Sequence, residues 1–139
     1  MPGEKRVLII DDDHVFLRQV NETLVEAGYS VLEAANGTAA LALLKKLRYD
    51  VDLIITDLIL PGSSGHNIIA EVSGRDAKIK IIATTGVLNQ TQLEITKYLG
   101  ADAVLRKPAA GAPFPGDELL QTVRTLLANG TALGGSAST

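Results

Sequence analysis

At 139 residues, 46% hydrophobic and 21% charged, the chain is most simply one domain with a core of its own. A net charge of −3 and a pI near 5.3 argue against nucleic acid as a principal partner, because phosphate backbones are held by a surplus of Lys and Arg. The absence of cysteine excludes disulfides, thiolate metal sites and thiol nucleophiles, and fits a reducing cytoplasm.

The opening MPGEKRVLII has a four-residue apolar run ahead of three aspartates, too short for a signal peptide or a membrane span, so a soluble, cytoplasmic protein is expected. VLII (7–10) reads as a strand covered on both faces. A helix follows with Phe16, Val20, Leu24 and Ala27 on one side and Gly28 as its stop. SVLEA (30–34) is the second strand, and Asn36 is placed to cap a helix carrying Ala40, Leu41, Leu44 and Leu47. VDLIIT (51–56) is the third strand, with Asp57 just past it. A loop with Pro61, Gly62 and Gly65 leads into a short helix through Ile68, Ile69 and Val72. KIIATT (80–85) is the fourth strand, followed by Gly86 and a helix over about 90–99 that stops at Gly100. AVLR (103–106) is the fifth strand, and DELLQTVRTLL (117–127) is the last amphipathic helix.

Five strand–helix alternations predict an α/β fold with a parallel sheet and helices on both faces. Residues 1–128 are expected to form the domain. Residues 129–139, small and polar, read as a disordered tail or the stump of a linker.

In such folds ligands bind beyond the carboxyl ends of the strands, where strand order reverses. Strand one is followed by Asp11, Asp12 and Asp13, and strand three by Asp57. Strand four ends in Thr84 and Thr85, and Lys107 and Pro108 follow strand five. If strands one and three are neighbours, Asp11, Asp12 and Asp57 share one crevice flanked by a hydroxyl and an ammonium. Carboxylates that close repel, so raised pKa values or a cation between them is expected. The all-oxygen donor set suits a hard ion, Mg²⁺ before Zn²⁺. A cation with open positions can take phosphoryl oxygens, a spare carboxylate can be the nucleophile, and Lys107 and Thr85 can serve as donors.

VLIIDDD, IITDLILPGSSG, IIATTG and GADAVLRKP, in that order and at suitable spacings, resemble the CheY-like receiver domain of two-component response regulators over residues 5 to 128. The resemblance implies a flavodoxin-like doubly wound (βα)5 fold with strand order 2-1-3-4-5. It implies that Asp57 is the phosphoacceptor and that Asp11 and Asp12 organise Mg²⁺, with Asp12, Asp57 and the Ile59 carbonyl as direct contacts. Thr85 matches the switch hydroxyl and Lys107 the lysine that pairs with the phosphoryl group, and the bond before Pro108 is often cis in this family. The implied donor is a sensor histidine kinase or histidine phosphotransfer protein. The implied readers are a protein target or output domain on the helix 4–strand 5–helix 5 face, where Ile95 and Tyr98 could lie exposed. A homodimer on activation stays open. The protein would then be a signalling receiver, not an enzyme in its own right.

Two features depart from the family pattern. Val104 stands where an aromatic residue is common, and AAGAPFPG replaces the usual Phe directly after Lys-Pro, leaving the place of Phe114 open. Ile59 and Val87, at positions that influence dephosphorylation in this family, are apolar. Asp11 to Asp13 also admit a plain reading as caps of the first helix, and His14 and His66 read as surface or helix-start residues. Two other functions compete. One is a pseudo-receiver that binds partners without phosphorylation. The other is a haloacid dehalogenase-like phosphatase with Asp11 as nucleophile and Asp13 as acid–base, which leaves Asp57 without a purpose.

Overall fold

A computed structural model describes residues 4–60, 65–75, 78–86, 89–109 and 111–129. The strands are β1 (Arg6–Ile10), β2 (Ser30–Ala34), β3 (Leu53–Asp57), β4 (Lys80–Thr85) and β5 (Ala103–Arg106). The helices between and after them are α1 (His14–Glu26), α2 (Gly37–Lys46), α3 (Gly65–Arg75), α4 (Gln90–Leu99) and α5 (Gly116–Asn129). All neighbouring strands run parallel, in the order β2-β1-β3-β4-β5. This is the flavodoxin-like topology that the resemblance implies. The tail expected over 129–139 lies, from residue 130, outside the described residues, as do Pro61, Gly62 and Val87.

The sheet is covered on both faces, which is why its central strands are aliphatic without a polar alternation. On one face Val7, Ile9, Leu53, Ile55 and Ile82 pack against Phe16, Leu17, Val20 and Leu24 of α1 and Leu119, Val123 and Leu126 of α5. On the other, Leu8, Ile10, Ile54 and Ile81 meet Ala40 and Leu44 of α2 and Ile68, Ile69 and Val72 of α3. Helix starts follow the side chains that can hold free N–H groups. Asp13 Oδ1 accepts from Val15 and Phe16, at 3.0 and 3.2 Å. Asn36 Oδ1 accepts from Ala39 at 2.7 Å, as its position predicts, and Asn89 Oδ1 does the same for Gln92 at 2.9 Å.

The third strand differs from its expected span of 51–56. Asp52 leaves the ladder to clasp the start of β1: its carboxylate accepts the Arg6 N–H at 2.8 Å and its own N–H donates to the Arg6 carbonyl at 2.9 Å. At the far end the Leu58 N–H donates to the Thr84 carbonyl, which keeps Asp57 in register with Thr84. Asp57 is therefore the last residue of a buried strand rather than the first beyond it.

Asp102 repeats the Asp52 clasp on β4, accepting the Ile81 N–H at 2.8 Å while its own N–H donates to the Ile81 carbonyl. Burial pushes the Asp102 carboxyl up, against the lowering effects of that hydrogen bond and of Lys80. The folded chain thus holds this proton more tightly than the unfolded chain does. The associated stability is present below the ordinary value of 3.8 and is lost as pH rises through the raised value. Asp102→Asn keeps an acceptor for Ile81 and removes the titration. Thermal melts from acid to neutral pH should show the variant gaining on the wild type as pH rises past that point, and a pH-independent gap would contradict this assignment.

Candidate functional site

The strand order makes β1 and β3 neighbours, with Ile10 in register with Thr56. The residues just after them are thereby forced together at one end of the sheet. Asp11 is wholly buried, Asp57 is buried and Asp12 is exposed. One carboxylate oxygen from each lies within 4.8 Å of the others, an acidic pocket that could bind a metal.

The crowding is relieved by a single cation. Lys107 Nζ donates to Asp11 Oδ2 at 2.9 Å, to Asp11 Oδ1 at 3.2 Å and to Asp57 Oδ2 at 3.3 Å. The Lys107 backbone is fixed where β4 ends, since its N–H donates to the Thr85 carbonyl at 2.8 Å. Asp57 Oδ1 accepts the Ile59 N–H at 3.2 Å, and Asp11 Oδ1 also accepts the Asp13 N–H at 2.9 Å. Burial pushes the Asp11 carboxyl up. The Lys107 and Asp13 hydrogen bonds oppose that shift, while the Asp57 charge reinforces it. For Lys107, burial works to lower the ammonium pKa, but bonding and charge from Asp11, then Asp57, outweigh it and the net shift is upward.

Gly65 lets α3 start against this end of β3. Its N–H donates to the Leu58 carbonyl at 3.0 Å, and a side chain there would collide with the Asp57 carbonyl oxygen and the Leu58 Cα. Thr85 is buried at the end of β4, one residue beyond the Thr84 that faces Asp57 in register.

The family described as response regulator receiver domain matches residues 7–124. The chain belongs to that family. It is 31% identical to sporulation initiation phosphotransferase F of Bacillus subtilis (strain 168), over 88% of this chain and 94% of that protein. It is 30% identical to the chemotaxis protein CheY of Halobacterium salinarum, over 75% and 85%. Among solved structures it resembles a CheY-like receiver domain from Methanospirillum hungatei JF-1 with a TM-score of 0.81 and 27% identity, covering 91% of this chain and 95% of that one. It resembles chemotaxis response regulator CheY4 of Vibrio cholerae with a TM-score of 0.76 and 30% identity, over 88% and 98%. Other relatives are much longer: the chain spans 44% of a response regulator receiver protein from Anaeromyxobacter sp. (strain Fw109-5) and 48% of the DNA-binding regulator RpaA of Synechocystis sp. (strain ATCC 27184 / PCC 6803 / Kazusa). As a receiver domain it is a part of two-component signalling, and its acidic pocket is consistent with a phosphoacceptor role.

The receiver places Asp11, Asp12, Asp57 and Lys107 in one cluster, as their strand-end positions predict. Asp13 does not join that cluster with its side chain, which is committed to capping α1. The phosphatase reading had this residue as acid–base; here its Oδ1 accepts the Val15 and Phe16 N–H groups. Ile59 meets Asp57 through its N–H, while its side chain is exposed. On α4, Ile95 is 46% and Tyr98 90% exposed, so neither belongs to the core. Val104 is packed against the core on the α2–α3 side. The bond before Pro108 is trans, with no cis peptide among the described residues. His14 is exposed at the first turn of α1, and His66 is half-buried at the start of α3. Phe16 was legible only as core, yet Lys107 Nζ lies 4.7 Å from its ring centroid. No spacing in the chain announces that contact, because it joins α1 to the loop after β5.

Because the Asp11 carboxyl is held up by burial and by its neighbour's charge, removing that charge relieves more than it loses. Asp11→Asn retains an acceptor for Asp13 and for Lys107. In metal-free neutral buffer it is expected to stabilise the fold by on the order of 1 kcal/mol. Urea denaturation with an unchanged m-value would read that gain, and a loss of stability would show that Lys107 already compensates the carboxylate in full.

Proposed function

We propose that residues 1–128 act as a phosphoacceptor receiver, taking a phosphoryl group onto Asp57 from a phosphohistidine on a sensor kinase or phosphotransfer protein. The observation that carries this reading is the Lys107 ammonium bridging Asp11 and Asp57, with Asp12 beside them. Relatives named as a phosphotransferase and as the sensor kinase CckA of Brucella abortus (strain 2308) support it.

An Asp57 oxygen attacks phosphorus as the nitrogen–phosphorus bond breaks, and the imidazole keeps the bonding pair. The Ile59 N–H and Lys107 Nζ already face the two Asp57 oxygens. They are therefore placed to stay with the oxygens of the transferred group as charge moves onto it. The Thr85 hydroxyl is the switch donor at the adjacent strand end. The oxygen-only donors fit Mg²⁺, which Asp11, Asp12, Asp57 and the Ile59 carbonyl would hold; when bound, it would neutralise the crowded carboxylates and polarise the phosphoryl oxygens. Phosphorylation adds a charge of about −1.5 to −2 at this packed point, biasing an equilibrium that partners read. The readout surface is α4, β5 and α5, where Ile95 and Tyr98 stand exposed and Val104 replaces the usual inward-turning ring. The reader is a protein target, an attached output domain or, on activation, a second copy, and no direct nucleic-acid contact is proposed. A cytoplasmic place is part of this proposal, and no described helix is long and apolar enough to cross a membrane.

Val104 is the one feature that favours the second reading, an interaction module that is never phosphorylated. Intact mass after incubation with a small acyl-phosphate donor separates the two. One phosphoryl adduct that requires Mg²⁺ and disappears in Asp57→Asn is expected. An adduct that survives that substitution would move the nucleophile elsewhere, and the absence of any adduct would favour the interaction module.

A further inference from the structure

Phe16 and Phe114 are the two phenylalanines of a chain poor in aromatic residues, and they meet beside the site. Their ring centroids are 6.0 Å apart at an interplanar angle of 64°, an edge-to-face contact. Phe16 presents its ring to Lys107, whose Nζ lies 4.7 Å from the centroid. The same Nζ donates to Asp11 and Asp57, so the ammonium is held by two carboxylates and a π face together.

The loop between β5 and α5 delivers Phe114 to this place. The Ala112 N–H donates to the Ala109 carbonyl at 2.9 Å, closing a turn in which Gly111 takes φ 81. The Gly116 N–H then donates to the Phe114 carbonyl at 2.9 Å as α5 begins. A cavity of about 160 Å³ opens on the same side, lined by Gln19, Lys107, Pro108, Ala109 and Ala112 as well as Phe16. A lysine side chain is long and flexible, and this cavity gives its ammonium room to swing away from the carboxylates. Phe16 is only 7% exposed, and a desolvated ring attracts a cation more strongly than an exposed one, so the ring adds to the hold of Asp11 and Asp57 on the ammonium in the position it occupies.

We infer that Phe16 is a positioning residue for phosphoryl uptake: braced edge-on by Phe114, its ring seats the Lys107 ammonium against Asp11 and Asp57. The consequence for uptake rests on the proposed role of Lys107 as a donor to the transferred group. The seat itself rests on geometry alone.

Two readouts on the full chain, for wild type, Phe16→Tyr and Phe16→Met, test it. The first is the NMR position of the Lys107 ε-methylene protons, and the second is the rate of covalent phosphate uptake from a small acyl phosphate with Mg²⁺. Ring-current shifting of the ε-methylene is expected in the wild type and in Phe16→Tyr, and its loss in Phe16→Met. Uptake at saturating donor should be about 5-fold slower in Phe16→Met and within about 2-fold of wild type in Phe16→Tyr. Methionine keeps an apolar filler of similar volume, so a purely packing role would move the two variants alike. Equal behaviour of Tyr and Met, or unshifted ε-methylene protons in the wild type, would overturn the inference. Should Phe16→Met fail to fold, Phe114→Leu leaves the ring in place but unbraced. It should reduce the shift and slow uptake by about 2-fold, while no change in either would remove the bracing role. A wild type that takes up no phosphate overturns the receiver reading instead, and the NMR arm then decides the seat by itself.

Discussion

Two carboxylates buried at the same end of a sheet, with a third close by in the solvent, are the constraint around which this molecule is arranged. In water such a group would separate. Here Asp11 follows β1, buried from Val7 to Ile10, and Asp57 ends β3, buried throughout, so moving them apart would mean breaking the parallel ladder between β1 and β3. The sheet holds the charges together, and Lys107 makes that tolerable by bonding both buried carboxylates. An arrangement so crowded with negative charge gains from added positive charge, which suits an acidic pocket that could bind a metal.

The surrounding elements answer to that cluster. The Lys107 main chain is tied to the last residue of β4, which leaves the length of its side chain to span to Asp11 and Asp57. Asp13 is turned outward to cap α1, so the first helix begins two residues after the acidic pair without adding the capping carboxylate to the pocket. Gly65 brings the start of α3 against the Asp57 carbonyl, where no other side chain fits. Phe16 lies against the Lys107 ammonium and meets Phe114 edge-on.

Much of this was legible in the chain. The runs 80–85 and 103–106 became strands at those positions, and 7–10 gained Arg6 at its start, since a short, largely apolar run bounded by charges or turns has few other uses. Asn36 and Gly100 bounded their helices as their chemistry predicts. The third strand was displaced because Asp52 clasps the Arg6 backbone, a contact between residues 46 apart in the chain that local pattern cannot contain. The bond before Pro108 is trans where family resemblance favoured cis. The clustering of Asp11, Asp12 and Asp57 could be anticipated only once strand order was supplied by resemblance, because alternation of strands and helices fixes a parallel sheet and not which strands adjoin.

The amino-acid sequence by itself determined the alternating fold class, the aliphatic composition of the core and the supply of oxygen ligands, hydroxyl and ammonium at strand ends. Each of these follows from local pattern and from residue chemistry. Only the tertiary structure decided that Lys107 bonds Asp11 on both oxygens as well as Asp57, that Asp13 caps rather than joins the pocket, and that Phe114 crosses from the β5–α5 loop to brace Phe16. These are choices among geometries open to the same side chains. They are settled by which elements pack together, since a long ammonium side chain or a ring in a loop carries no periodicity that says where it will come to rest.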